Sequence, residues 1–392
     1  MKQLSFSLIK ERVPSALSFF GLFVAVVLIC VGVVALASCS QPGSPSGNNS
    51  SGGNTGWSSK TITTYAGNGI PGYLDGPALS AELKSPYGIY VDKVGYLYIA
   101  DYGNSRVRWV GLDGTIHTAA GTGSPGYNGD NISSTAAEVN QPSGVALDPS
   151  GYIVVADTWN DRIRDVALDI TTLAGTGTPS YNGDGISPTS AELAFPNSVF
   201  YDSFGNLYIA DSTNNRVRVV NKSTGLIGTV AGSGSTGPVV DGGQATATAV
   251  TYPYCAIVDS TGNIYISQPN NNVVRKVDTT GKISTYAGNG TGSYSGDNGP
   301  AVSAELHYPT SLAFDSAGNL YICDSDNCCI REVNSTTRVI TTVVGTGLAG
   351  FSPDGTLATQ AKLMVPMGIA FDSSGTTLYI ADSGNNVIRV VK

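Results

Sequence analysis

One stretch decides the fold of this chain: residues 198–218 read Ser198-Val-Phe-Tyr-Asp-Ser-Phe-Gly-Asn-Leu-Tyr-Ile-Ala-Asp-Ser-Thr-Asn-Asn-Arg-Val-Arg218. It holds three runs of β-forming residues, separated by Asp, Ser, Gly and Asn, which suit tight turns. A fourth run, Leu226 to Ala231, follows. The stretch therefore predicts an antiparallel meander of four strands.

The same pattern returns six times along the chain. Its first aspartate recurs every 54 to 57 residues, at Asp92, Asp148, Asp202, Asp259, Asp315 and Asp372. A fixed period with four strands per unit is typical of a β-propeller, because one such sheet cannot cover its own apolar faces. We predict an all-β fold, a six-bladed β-propeller with four-stranded antiparallel blades.

The two ends of the repeat region complement each other. The sixth copy stops after its third strand, Val387 to Val391, and the chain ends at Lys392. The missing run, Ile62 to Gly67, lies at the front of the first copy. We predict that Thr61 to Ala66 joins the C-terminal blade as its outer strand and closes the ring, which leaves no exposed sheet edge there.

The repeats resemble the NHL-repeat family of six-bladed propellers over residues 60–392. The resemblance rests on Asn206-Leu-Tyr-Ile-Ala-Asp211 with Asn215-Arg-Val-Arg218, and on the long loop from Gly175 to Pro196. Some members of that family bind RNA through a basic face. This chain has a net charge of −8, which disfavours contact with phosphate backbones, so we expect no nucleic-acid partner.

The N-terminus has the pattern of an export signal. A basic head precedes an apolar run, Leu17 to Ala37, which ends in Leu36-Ala37-Ser38-Cys39. That tetrapeptide resembles the lipobox of bacterial lipoproteins, so residues 1–38 are predicted to be a lipoprotein signal peptide and Cys39 the lipidated residue. An uncleaved membrane anchor is the alternative, since about 20 apolar residues can span a bilayer.

Both alternatives place the propeller outside the cytoplasm, in the cell envelope. Ser40 after Cys39 favours the outer membrane if the host is Gram-negative. Residues 39–59 are rich in Gly, Ser and Asn and are predicted to be a flexible linker, and residues 60–392 the propeller. We expect the membrane to be contacted through the N-terminal lipid only.

Four cysteines remain in the repeats: Cys255, Cys323, Cys328 and Cys329. Cys323 ends a second strand and Cys328 begins the neighbouring third strand, so a disulfide between them is a candidate. Free buried thiols are the alternative. The spacing matches no zinc pattern, so no metal site is predicted here.

Strand directions place the turn between the second and third strands on the same rim as the long loops between blades. The third strand's first arginine faces the aspartate that ends the second strand, which predicts the ion pairs Asp101–Arg106, Asp157–Arg162 and Asp211–Arg216. Asp324 and Asp382 face Cys329 and Val387 instead. These two acids and the loop aromatics form the candidate binding rim: Tyr73, Tyr127, Tyr181, Tyr294, Phe351, Asp324 and Asp382.

The residue inventory favours a binding role over catalysis. His117 and His307 are the only histidines, so a three-histidine metal site is excluded within one chain, and no Gly-x-Ser-x-Gly elbow is present. Acidic loop motifs leave calcium open, although turn formation explains them more simply. No cofactor is therefore assigned.

We interpret the chain as a surface-tethered binding or scaffolding module for a protein or glycan of the cell envelope. A closed ring has no free edge that demands pairing, so we expect a monomer. The alternative is an extracytoplasmic lyase or lactonase with a metal ion in the central channel.

Overall fold

A computed structural model describes residues 56–392, which form six antiparallel sheets with the order of propeller blades. The strands of each blade are given from the central channel outwards. Blade 1 consists of Pro86–Val91, Leu97–Asp101, Arg106–Val110 and Thr115–Ala120. Blade 2 consists of Gly144–Leu147, Ile153–Asp157, Arg162–Val166 and Asp169–Ala174, and blade 3 of Pro196–Tyr201, Leu207–Asp211, Arg216–Val220 and Ile227–Ala231. Blades 4 and 5 consist of Cys255–Val258, Ile264–Gln268, Val273–Val277 and Ile283–Ala287; and Pro309–Phe314, Leu320–Asp324, Cys329–Val333 and Val339–Val344. The all-β, six-bladed prediction is confirmed.

Blade 6 combines the two ends of the described chain. Its first three strands are Pro366–Phe371, Leu378–Asp382 and Val387–Val391, and its fourth is Thr61–Ala66. The register pairs Ile62 with Val391 and Thr64 with Arg389. The pairing partner is the one that the sequence predicts.

Two faces of the propeller differ in their connections. The loop-rich face carries the long loops between blades and the turns between second and third strands, most of which are short 3-10 turns such as Thr158–Asn160. The short-turn face carries the turns between first and second strands and, in blades 1 to 5, those between third and fourth strands. In four blades the incoming long loop adds a two-residue strand to the outer edge: Gly76–Pro77, Ile132–Ser133, Gly299–Pro300 and Thr356–Leu357.

The repeated aspartate after each inner strand closes a turn on the short-turn face. In blade 1, Asp92 Oδ1 accepts hydrogen bonds from the backbone amides of Val94, Gly95 and Tyr96. Asp202 accepts from the amides of its own turn in the same way. This aspartate is therefore a turn-forming residue, which explains its strict period.

The N-terminal boundary of the propeller differs from the prediction. Trp57, which the sequence places in the linker, is buried and donates its indole N–H to the hydroxyl of Tyr321 at 3.2 Å. An aromatic side chain of this size gains too much from burial to remain in a solvated linker. The predicted signal peptide, residues 1–38, and the predicted lipidation of Cys39 lie outside the described residues.

Candidate functional site

The second arginine of every repeat is the centre of a clamp beneath the loop-rich face. All six guanidinium groups are fully buried, at Arg108, Arg164, Arg218, Arg275, Arg331 and Arg389. Each contacts an aspartate of the long loop that leads into its blade: Asp75, Asp130, Asp184, Asp241, Asp297 and Asp354. Each long loop is thus tied to the blade below it.

In four blades the clamp has a second, fully buried acid. Arg108 Nη1 lies 2.9 Å from Asp101, and the equivalent pairs are Arg164–Asp157, Arg218–Asp211 and Arg331–Asp324. Asp101 also accepts hydrogen bonds from the amide of Lys84 and from Asn104. The carboxylate therefore joins the loop, the turn and the strand in one network.

These contacts correct the predicted ion pairs. Arg106 lies opposite Asp101 in the register, as expected, but its guanidinium donates to the carbonyls of Asn104 and Thr122 and covers the ring of Tyr73. Arg162 and Arg216 behave in the same way. The aspartate pairs instead with the arginine two residues further along, on the same face of the sheet and within diagonal reach of a long side chain.

The two acids assigned to the binding rim are not on the surface. Asp324 and Asp382 are both fully buried. Asp324 pairs with Arg331, whereas Asp382 accepts hydrogen bonds from Asn385 and the amide of Met364. Burial raises the pKa of Asp382 to about 7. Both acids support the loop from below and cannot contact a partner directly.

The rim aromatics do lie on the loop-rich face, where each covers an arginine. The arginine carbon lies 3.7 to 4.9 Å from the ring centroid in the pairs Arg106–Tyr73, Arg162–Tyr127, Arg216–Tyr181, Arg331–Tyr294 and Arg389–Phe351. Such contacts stabilise the loop by cation–π attraction. Tyr73 remains 60% exposed and Phe351 50% exposed, so these two still present apolar surface to solvent.

The central channel holds a cavity of about 970 Å³, lined mainly by the inner strands. Its entrance positions are small because neighbouring inner strands approach closely. A Cβ added to Gly144 would lie 2.7 Å from the carbonyl oxygen of Asn197, and one added to Gly88 would lie 2.5 Å from that of Ser143. Small residues are therefore required by packing at this level of the channel.

The two histidines lie in different blades and do not share a site. His117 stacks on Trp109 with 4.4 Å between ring centroids, and His307 Nε2 lies 3.4 Å from Asp326 in another blade. Within residues 56–392, no group of three or more His, Cys, Asp or Glu could hold a metal ion. The loop acids that suggest calcium, such as Asp75, contact arginine.

The predicted disulfide between Cys323 and Cys328 is wrong. Cys323 is a free, buried thiol, and burial raises its pKa. The register pairs Cys323 with Ile330, because the turn Ser325–Asn327 places Cys328 in a left-handed conformation before the third strand begins. Cys328 is therefore not opposite Cys323.

Sequence reasoning missed a group of aromatic residues where the channel meets the loop-rich face. We call this group the aromatic mouth: Tyr87, Tyr102, Trp159, Phe195, Tyr252, Tyr254 and Tyr308. Five of the seven directly precede or follow a proline at or just before the start of an inner strand, as in Tyr252-Pro253-Tyr254. That proximity to proline is the signal that could have revealed them.

Comparison with known proteins agrees with this architecture. A model of the NHL repeat matches residues 139–164 and 306–332. The chain carries NHL repeats. It is 26% identical over 349 residues to human NHL repeat-containing protein 2, covering 79% of this chain and 47% of that protein.

Two further similarities extend the comparison. The chain is 26% identical over 341 residues to the Arabidopsis thaliana chloroplastic protein SUPPRESSOR OF QUENCHING 1, covering 84% of this chain and 27% of that protein. It therefore spans less than half the length of these curated relatives. A solved structure described as an auxiliary nutrient binding protein of Bacteroides thetaiotaomicron has the same fold, with a TM-score of 0.61, 18% identity and coverage of 85% and 76% of the two chains.

Among residues 56–392, no helix has the length and apolarity needed to cross a bilayer.

Proposed function

We propose that this propeller is a binding module, tethered outside the cytoplasm by its N-terminal segment, that contacts a protein or glycan through its loop-rich face. The proposal depends on one observation, namely which face of the propeller the N-terminal segment enters. The entering residues pack on the short-turn face, opposite the long loops.

Three contacts define this entry point. The amide of Thr61 donates to the carbonyl of Lys392 at the end of the third strand of blade 6. Lys60 Nζ donates to the carbonyl of Thr376 in the turn between the first and second strands of the same blade. Trp57 packs against Tyr321 nearby. A lipid on Cys39 would therefore tether the propeller from its short-turn face and leave the loop-rich face free to meet a partner.

The clamps supply the mechanism of the proposed binding. Each long loop is fixed by a buried arginine below and, in five blades, by a ring stacked on an arginine. A surface that is already ordered loses little conformational entropy when a partner binds. The fold neighbour described as a nutrient binding protein is consistent with a role in capture.

Charge favours a neutral or basic partner over a nucleic acid. The chain carries 29 acidic and 21 basic residues, and the second arginine of each repeat is buried in its clamp. The loop-rich face therefore offers few free cations to phosphate groups.

Site-specific photo-crosslinking tests this proposal. In the full chain, expressed in its native host, a benzophenone amino acid replaces one of two phenylalanines. Phe351 is 50% exposed on the loop-rich face, and Phe204 is 79% exposed on the short-turn face. Phe351 is expected to give a discrete adduct with an envelope component, and Phe204 to give none or only lipid. A specific adduct from Phe204 alone would contradict the proposed face.

A further inference from the structure

The aromatic mouth brings side chains from five blades to the centre of the loop-rich face. Tyr87 and Tyr102 stack with 4.1 Å between centroids and 11° between ring planes. Trp159 packs its edge against Phe195, 4.5 Å away, and donates its indole N–H to the hydroxyl of Tyr102 at 3.1 Å. These four rings are half-buried, so each keeps accessible surface.

An unusual backbone conformation directs part of the mouth. In every blade the residue before the inner-strand proline has a positive φ, between 46° and 55°. Phe195, Tyr252 and Tyr308 occupy three of these positions. Such a conformation is rare for bulky residues and persists only where the surrounding structure enforces it. The backbone amides of Phe195, Tyr252 and Tyr308 each donate to a side-chain oxygen of the preceding blade, at 2.8 to 3.1 Å, and these hydrogen bonds help to hold the rings in place.

Polar groups are placed between the rings. The hydroxyl of Tyr102 contacts Gln141 Oε1 at 3.3 Å, and the buried Ser143 donates its hydroxyl to the carbonyl of Asn197 where both line the channel. None of these side chains carries a charge at neutral pH. The mouth therefore combines flat apolar faces with neutral hydrogen-bonding groups.

Tyr254 lies at the base of this mouth with its hydroxyl unsatisfied. The side chain is buried and is one of those that line the channel, and its hydroxyl has no hydrogen-bond partner among residues 56–392. Burial, together with the neighbouring Tyr87 and Tyr308, raises its pKa well above the usual value. A buried hydroxyl without a partner is costly, so a ligand group that hydrogen-bonds to it gains affinity from that contact.

We propose that the aromatic mouth binds a saccharide, with a sugar ring stacked on the exposed rings and a sugar hydroxyl hydrogen-bonded to Tyr254. This inference rests on the proposed function and assigns its partner to glycans. A pyranose matches the mouth in both respects, since it has an apolar face and a rim of neutral hydroxyl groups. A charged peptide or nucleic acid would find no opposite charge within this cluster.

The test titrates the full-length protein, in a detergent without a sugar headgroup, with cellohexaose, xylohexaose, mannohexaose and chitohexaose by calorimetry. Saturable binding of at least one of these is expected. Trp159→Ala is expected to weaken it about tenfold or more, by analogy with the loss of an aromatic stacking platform. Trp109→Ala, which removes an indole from the third strand of blade 1 away from the mouth, is the matched control and should leave the affinity unchanged.

Tyr254→Phe separates binding from folding. The hydroxyl of Tyr254 has no partner within residues 56–392, so its removal should not lower the melting temperature. It should weaken saccharide binding about threefold to tenfold, because one hydrogen bond to the sugar is lost. Absence of binding by all four sugars, or an unchanged affinity in both Trp159→Ala and Tyr254→Phe, would overturn the inference. If Phe351 still crosslinks to an envelope protein in that case, the proposed function stands and its partner is a protein.

Discussion

Replacement of Arg108 by methionine provides a quantitative test of the buried clamp. Methionine fills much of the space of the arginine stem but leaves the carboxylate of Asp101 fully buried. Only the amide of Lys84 and the side chain of Asn104 would then hydrogen-bond to this carboxylate. Breaking a buried pair in this way costs about 3–5 kcal/mol, because a charge is left without compensation.

Blade 4 supplies the matched control. Gln268 stands where the other blades have the buried aspartate, and Arg275 contacts only Asp241, which is 52% exposed on its side chain, and the carbonyl of Val240. Within the part of the chain that the structure describes, Arg275 Nε and Nη1 already lack hydrogen-bond partners. Arg275→Met leaves no buried charge without a partner. It should lower the unfolding free energy by about 1–2 kcal/mol, because only one exposed ion pair and one hydrogen bond are lost.

Urea unfolding at pH 8, followed by fluorescence, measures both variants on the same scale. The free energy of unfolding should fall by about 2 kcal/mol more in Arg108→Met than in Arg275→Met. The double variant Asp101→Asn with Arg108→Met should recover part of the loss, because it removes the stranded charge. Equal losses in the two single variants, without recovery in the double variant, would refute the electrostatic interpretation.

Three other predictions concern stability. Burial raises the pKa of Asp382 from 3.8 to about 7, so its contribution to stability is present below pH 4 and is lost as pH rises through 7. Between pH 4 and pH 8, the unfolding free energy of Asp382→Asn should therefore rise relative to that of the native protein by at most about 4 kcal/mol, measured by unfolding curves at each pH. Trp57→Ala removes a buried indole and should lower the unfolding free energy by about 3–5 kcal/mol, measured by urea titration; no change would mean that Trp57 is not packed in solution. Gly144→Ala should destabilise the protein in thermal melts, whereas Gly228→Ala, whose added Cβ meets nothing within 4 Å, should not; the reverse order would contradict the close approach of inner strands.

Much of the fold could be predicted because the repeat period and the alternation of residues act locally. The terminal strand Thr61–Ala66 has the predicted bounds, and the fourth strand of blade 3, Ile227–Ala231, begins one residue after the predicted run. The error over Arg106 has a physical cause. Register shows which Cα atoms lie opposite, but Arg106 sits at the end of the ladder, where nearby loop carbonyls compete for its guanidinium.

Proline marks most residues of the aromatic mouth in the sequence, but their backbone geometry could not be predicted from local pattern. A residue before proline normally adopts an extended conformation, so sequence gives no reason to place Tyr252 in the left-handed region, where it has a φ of 47°. Burial of Asp324 and Asp382 was missed for a related reason. Both acids follow a strand and look exposed in sequence, but the long loop covers them once the blade is assembled.

Hydrogen exchange measured by mass spectrometry, on the full-length protein with and without its crosslinked or saccharide partner, tests the use of the loop-rich face most directly. Binding there predicts slower exchange in the long loops, residues 67–85, 121–143 and 175–195, and unchanged exchange in the short turns at residues 92–96 and 202–206. Protection of the short turns, with the long loops unchanged, would contradict it.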